Sequence, residues 1–439
     1  MRIVKIVRHV CIILILLKEM KREKKILSKE VISWAFYDWA NSAFATTIMA
    51  GFFPLFFKSF WASNLTDAES TGMLGIANSL SGLLIVLIAP FLGAVADITF
   101  KKKYLLVFFM IIGTGSTASF FLIQQGDWIL AMSAYIFACI GFSGGNIFYD
   151  SLIINVSSEQ SRNKVSAFGY AMGYLGGGLL FVLNVFMYLQ PAVFGLASQV
   201  DAILFSFLSV AVWWSFFTLP LIRYVKEKSG LFEKTSSMNL IKKSFFRVVQ
   251  TFREIREYKN LFYFLIAYWL YMDGIDTVVR MALAFGADIG LATSELIVAL
   301  IITQFVGFPA TIGFGFLADR YGLKLLLYVG IGMYICICFG GLVISSIYGF
   351  YIMAAIIGLV QGGVQSVSRA VFSTMIPEGK DSEFFGFYNL VGKSAVIFGP
   401  AMVGIVNYLF NDPRAGIISL LILFIPGLLM LRMVQIREQ

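Results

Sequence analysis

Three polar residues interrupt the first long apolar run of this 439-residue chain. They are Asp38, Asn41 and Ser42, within Tyr37-Asp38-Trp39-Ala40-Asn41-Ser42-Ala43-Phe44, and the run stays apolar to Phe57. An acid, an amide and a hydroxyl so placed can bind a polar solute or hold a proton. A charge inside hydrocarbon costs about 2.5–3.5 kcal/mol on insertion scales, so it usually faces protein or a wet cavity and marks a pathway. The pattern returns at Tyr271-Met272-Asp273-Gly274-Ile275-Asp276-Thr277. Setting Asp38 against Asp273 puts Asn41 opposite Asp276 and Ser42 opposite Thr277. Two related polar segments, one opening each half, point to a solute site between the halves.

Position along each segment sets the depth of the other candidates. Asp273 lies about 13 residues into its segment, about 20 Å at 1.5 Å per residue and close to mid-membrane. It is a candidate to exchange a coupling proton; the plainer reading is a structural acid paired to a neighbour. Lys393 lies about 10 residues, or about 15 Å, into the eleventh segment. With no acid nearby in sequence it needs a counter-charge, which Asp273 or a substrate carboxylate would supply. Asp276 and Arg280 stand four apart and can pair on one face as a structural or gating pair. Asp38 and Asn41 are shallower, about 7–12 Å from the cytosolic end. Asp38 is open to service as proton site, substrate contact or inner gate, against hydrogen bonding at a helix interface. Gln361, Gln365 and Arg369 recur every four residues, so this stripe lines a cavity. Asn146 belongs to the same candidate lining. Asp150 and Arg369 end corresponding segments and read as gate charges. Trp34 and Trp39 read as interfacial anchors, and Tyr37 as an anchor or a cavity residue.

These residues need a membrane protein to hold them, and the composition agrees. The chain is 59% hydrophobic and 13% charged, with mean hydropathy +0.83. Soluble domains are about 45–50% apolar and about 25% charged. The net charge of +9 does not indicate nucleic acid, because the bases gather in alternate loops. Cys11, Cys139, Cys336 and Cys338 sit in apolar stretches and read as core residues rather than metal ligands. The one histidine, His9, precedes the first span, so no His relay can operate in the membrane. No metal or cofactor is expected. A membrane enzyme is disfavoured by the absence of a His cluster, a metal-ligand set or a nucleophile elbow.

Twelve apolar segments follow, over 33–57, 72–96, 104–124, 128–151, 165–189, 200–222, 260–285, 294–318, 325–345, 349–373, 384–408 and 414–433. With the amino terminus inside, cytosolic stretches hold 29 of the 34 Lys and Arg, which sets both termini in the cytosol. The expectation is a multi-pass protein of the cell membrane, most naturally a bacterial inner membrane, acting as a monomer. Residues 1–30 form a basic cytosolic segment whose apolar run, Val10 to Leu17, is too short to span; Met20 reads as the natural start. A six-helix bundle over 31–222, a cytosolic loop over 223–259, a second bundle over 260–433 and a tail over 434–439 complete the plan. Within the loop, Leu240 to Tyr258 has the spacing of a surface amphipathic helix.

The halves repeat. Gly93-Ala94-Val95-Ala96-Asp97 ends the second segment before Lys101 and Lys102, and Gly315-Phe316-Leu317-Ala318-Asp319-Arg320 ends the eighth. In each, a small Gly admits a neighbouring helix, and Asp97, or Asp319 with Arg320, can form a cytosolic latch. Gly144-Gly145 and Gly362-Gly363 recur in the fourth and tenth segments, and Gly173 to Gly178 mark the fifth as a close-packing helix. The recurring Gly-x-x-x-Asp block resembles the signature loop of the major facilitator superfamily, although the first copy lacks the Arg and Gly that follow Asp in the second. Together with Tyr-Asp-Trp-Ala-Asn-Ser and Phe384-Phe385-Gly386-Phe387-Tyr388, it resembles the vacuole-effluxer branch, named for an autophagy-related vacuolar amino-acid exporter. The resemblance runs from about Ser33 to Pro400 or beyond. It implies an all-α fold of twelve transmembrane helices in two six-helix bundles, alternating access, and a small polar solute such as an amino acid or related metabolite. Membrane-embedded acids make protons the natural drive, and no Gly-x-x-x-x-Gly-Lys-Ser/Thr loop is present for ATP. The rivals are a drug–proton antiporter, disfavoured because the glycine-rich fifth segment lacks proline, and a non-transporting receptor or scaffold on the same fold.

Overall fold

The computed structural model describes residues 27–227 and 257–436, apart from 345, 378, 395–397, 411 and 412, together with positions 246 and 250. The basic segment before Leu27 and nearly all of the expected surface helix at 240–258 lie outside the described residues.

Every described element is a helix. The first rod begins as α1, Lys29–Ala43, where Ser28 Oγ accepts the Val31 N–H at 3.2 Å. It continues with π-type winding over Phe44–Phe52 and Phe57–Trp61. The wider turn starts directly after the polar cluster, a place where such winding is often found near sites. Then come α2 (Asp67–Thr99), α3 (Lys102–Ser119), α4 (Trp128–Ser151), α5 (Arg162–Leu189) and α6 (Gln199–Tyr224). The second set is α7 (Lys259–Asp288), α8 (Thr293–Tyr321), α9 (Leu323–Val343) and α10 (Ile347–Thr374). It ends with α11a (Asp381–Ser394), α11b (Phe398–Phe410), α12a (Pro413–Ser419) and α12b (Leu421–Met433).

Ten of the described helical rods are long and apolar enough to cross a membrane. The two other expected segments are exceptions for different reasons. α7 carries Lys259, Asp273, Asp276, Arg280 and Asp288, which dilute its apolar character. Of the segment expected over 384–408, the structure describes α11a and α11b, and residues 395–397 between them lie outside the described residues. Most helices overrun the expected limits by a few residues, because helical turns continue past the apolar stretch.

α1 packs on α5 and α6, α3 on α4 and α6, α8 on α10, and α7 on α12b. Between the first six rods and the last six, α2 lies on α11a, and α5 lies on α8 and α10. Glycine makes both seams close. A Cβ on Gly93 would stand 2.2 Å from the Ser382 carbonyl oxygen, and one on Gly315 would stand 2.6 Å from the Ala167 Cβ. These are the two glycines of the repeated Gly-x-x-x-Asp block. With no hydrophobic force between helices in lipid, such close approach supplies the van der Waals contact that joins them.

Candidate functional site

A cavity of about 280 Å³ lies between the two sets of helices. Arg369 of α10 forms its floor. The side chain is 1% exposed, and every arm is engaged: Nη1 donates to Asp150 Oδ1, Nε to Ser166 Oγ and Nη2 to the Ser166 carbonyl, each at 2.9 Å. The guanidinium also lies 4.2 Å from the Tyr170 ring centroid and 5.0 Å from that of Trp34, a cation–π setting. Asp150 accepts a further bond from Asn389 Nδ2 at 3.2 Å.

Asp38 stands on the α1 wall above this floor. Its Oδ2 accepts from Tyr149 OH and its Oδ1 from Ser42 Oγ, both at 3.2 Å. No ion pair joins it to a described residue. Asn41 beside it donates from Nδ2 to Asn146 Oδ1, tying α1 to α4. Gly173 makes this wall possible, since a Cβ there would sit 2.6 Å from Ser42 Oγ and 3.0 Å from Asp38 Oδ1. From the other half, Asp276, Gln361 and Gln365 line the same space.

Other expected residues face elsewhere. Asp273 is 1% exposed and does not line the cavity; both its oxygens accept the Gly399 N–H at 3.0 Å. Gly399 follows Phe398, the first described residue of α11b. The acid therefore ties α7 to the backbone of α11b. Thr277 is buried, and its hydroxyl donates to the Asp273 carbonyl oxygen. Tyr37 is buried behind the wall against Gly145. Arg280 is exposed, lines no part of the cavity and makes no ion pair with Asp276. The Lys393 side chain lies outside the described residues, so its expected meeting with Asp273 is not among the contacts seen.

Below the floor, hydrogen bonds link the halves at the end of the molecule that bears Lys101–Lys103, Arg162 and Lys164, termed the basic face. Asp97 accepts the N–H groups of Ser382 at 3.1 Å and Glu383 at 2.8 Å, where α11a begins. Lys102 lies 3.5 Å from Asp97 and 3.3 Å from Asp381. Asp319 pairs with Lys164 at 3.0 Å and accepts from Asn163 Nδ2 at 2.8 Å. The acids thus meet helix starts as well as bases, which spacing alone had not indicated. Arg320, expected to share in the latch, instead lies over the Tyr321 ring at 5.4 Å.

The cavity also holds residues that sequence reasoning passed over. Tyr170 and Tyr174 stand four apart on α5, so both face inward, and Tyr268 stacks on Tyr388 with centroids 4.3 Å apart. Gln304 is a lone amide in an apolar stretch, the same signal that singled out Asn41. Among the described residues no cluster of three His, Cys, Asp or Glu could hold a metal ion. The arrangement suits reversible binding of a small polar solute: carboxylates, amides and phenols surround the cavity, and one end is sealed by charge pairs.

Comparison with known proteins agrees with this architecture. Residues 27–439 match the family described as "Vacuole effluxer Atg22 like". The MFS-type transporter YxiO of Bacillus subtilis is 36% identical over 417 residues, covering 93% of this chain and 96% of that protein. Autophagy-related protein 22 of Eremothecium gossypii is 24% identical over 451 residues, covering 88% and 87%. Among solved structures, the proton:xylose symporter XylE superposes with a TM-score of 0.69 at 17% identity, over 95% of this chain and 97% of that one. The human organic anion transporter MFSD10 gives 0.67 at 13% identity, over 93% and 99%. At such identity the likeness establishes the fold alone, that of the major facilitator superfamily.

Proposed function

Because the chain belongs to the vacuole effluxer family and is a multi-pass membrane transporter of major facilitator type, not an enzyme, we propose that it moves a small polar solute, an amino acid or related metabolite, together with protons. The observation that carries this reading is Asp38, a carboxylate facing the cavity with two hydroxyl partners and no ion pair to a described residue. A solute ammonium or a proton fills that role. Asp276, Gln361, Gln365 and Asn146 complete the polar lining, and the Arg369–Asp150 pair acts as the inner gate.

In this reading the six-helix units over 31–222 and 260–433 rock about the site, and the basic face is cytosolic, with both termini on that side. The conformation described has its cytosolic latches engaged. The cell membrane is the place of action, and one chain suffices. Asp273 supports the site from behind by holding the start of α11b.

The test is uptake of a solute panel into proteoliposomes, with and without a pH gradient. Accumulation of an amino acid above its external level, dependent on the gradient, is expected. Flux that ignores the gradient would remove the proton, and no flux of any solute would remove the carrier reading.

A further inference from the structure

The same lysine tie closes the basic face of each half. Lys103, the second residue of α3, donates from Nζ to the carbonyls of Ile222 at 2.9 Å and Val225 at 2.7 Å, where α6 ends. Lys324, the second residue of α9, donates to those of Arg432 at 3.0 Å and Val434 at 2.7 Å, where α12b ends. A cation at a helix C-terminus answers carbonyls that have no helical partner. The halves then differ. In the first, Glu227 follows α6, and its two carboxylate oxygens accept the N–H groups of Lys102 at 2.9 Å and Lys103 at 2.8 Å. Lys101, the residue before α3, offers no side-chain cap of its own. Among the described residues, no carboxylate takes this place at the start of α9.

The extra carboxylate falls where the latch is. Lys102 is 7% exposed, and its Nζ lies between Asp97 of its own half, at 3.5 Å, and Asp381 of the other, at 3.3 Å. Leu323, which opens α9 as Lys102 opens α3, can make no ion pair. Glu227 is thus present only where the residue it holds reaches across the seam. We propose that Glu227 is a positioning residue for the latch. By capping α3 it fixes the Lys102 main chain so that the ammonium reaches Asp381, and this favours the closed form of the basic face. Its bonds are of the charge-assisted kind, and the helix dipole favours a carboxylate at that end. Glu227 also stands where the chain leaves α6 for the stretch that joins the halves, so a displacement of that stretch reaches the latch through this cap. The solute cavity is lined by other residues and is left alone. The proposal rests on the reading that the basic face opens during transport.

The test reads opening rather than stability. In the full-length chain with Cys11, Cys139, Cys336 and Cys338 replaced by alanine, Gln365→Cys reports access to the cavity from the basic face. Its rate of reaction with a membrane-impermeant thiol reagent is the measurement. Glu227→Gln should raise that rate about two- to fivefold, the effect of a charge at a helix start, and Lys102→Met should raise it at least as much. Glu227→Asp keeps the charge and should fall between Glu227→Gln and the unaltered side chain. Glu227→Gln combined with Lys102→Met should label no faster than Lys102→Met alone, because residues that act as one unit do not add. Asn260→Ala removes the bonds to Gln435 at the matching end of the other half, and should lower Tm without changing the rate. An unchanged rate in Glu227→Gln while Lys102→Met speeds labelling would overturn the proposal and leave the transport reading intact. So would effects that add in the double variant, or an equal rise in Asn260→Ala. Labelling that no variant changes, Lys102→Met included, would sink the opening of this face and this proposal with it.

Discussion

Arg369 and Asp150 meet across the two halves, with Nη1 2.9 Å from Oδ1, and this one contact is both the floor of the cavity and the centre of the seal beneath it. Removing one member of a buried pair strands the other, at about 3–5 kcal/mol. Arg369→Met should therefore lower the apparent Tm sharply. Adding Asp150→Asn should recover more than half of that loss, because no buried charge is then left alone. Thermal unfolding of the single and double variants in one detergent checks this.

Asp38 and Asp273 should separate by function. Asp38→Asn should abolish accumulation driven by a pH gradient while exchange of solute between equal pools continues. Counterflow and gradient-driven uptake, measured on the same vesicles, make the comparison. Full accumulation in Asp38→Asn would move the proton to Asp276.

Asp273→Ala removes the acceptor at the start of α11b. The expected cost is that of a lost buried hydrogen bond to a charged group, about 1.5–3 kcal/mol, seen as a lower Tm. Solute affinity should stay near that of the unaltered protein, since the side chain does not line the cavity. A large loss of affinity with unchanged Tm would return Asp273 to the binding site.

Asp97→Asn and Asp319→Asn should each favour opening at the basic face. A single cysteine placed at Gln365 should then react faster with a membrane-impermeant thiol reagent supplied from that side. Unchanged labelling combined with weakened solute binding would assign these acids to the site instead.

The glycine seams give the steric version of the same test. Gly93→Ala places a methyl against the Ser382 carbonyl, and backbone cannot give way as a side-chain tip can. Labelling from the basic face should rise as it does for Asp97→Asn. Gly332→Ala, with nothing within 4 Å of its Cβ position, should leave labelling unchanged.

Much of this was legible in the sequence, for a specific reason. Asp38, Asn41, Asn146, Asp276, Gln361 and Gln365 are polar groups in apolar segments, and lipid excludes them from every surface but an inner one. The direction in which Asp273 points was not legible. It stands three residues from Asp276, near enough to share its face, yet both its oxygens accept the Gly399 N–H of α11b. The tyrosines were missed because a phenol is at home both at an interface and in a cavity, so its presence in an apolar run carries little information. Asp97 and Asp319 were visible as acids at helix ends, but Asp97 accepts backbone N–H groups, which no residue pattern records.

The contacts at the basic face run in an order with a mechanical meaning. From Asp319 of α8 the bonds pass to Asn163 and Ser166 of α5, to Arg369 of α10, to Asp150 of α4, to Asn389 and Ser382 of α11a, and to Asp97 of α2. Each step between helices crosses from one half to the other, like a row of alternating stitches. Such stitches carry load side by side rather than end to end, so cutting one shifts the balance towards opening while its neighbours still hold. A half-opened face would forfeit several bonds without yet admitting water to replace them. The halves are therefore built to part together or not at all, which keeps a continuous leak from arising midway through the stroke.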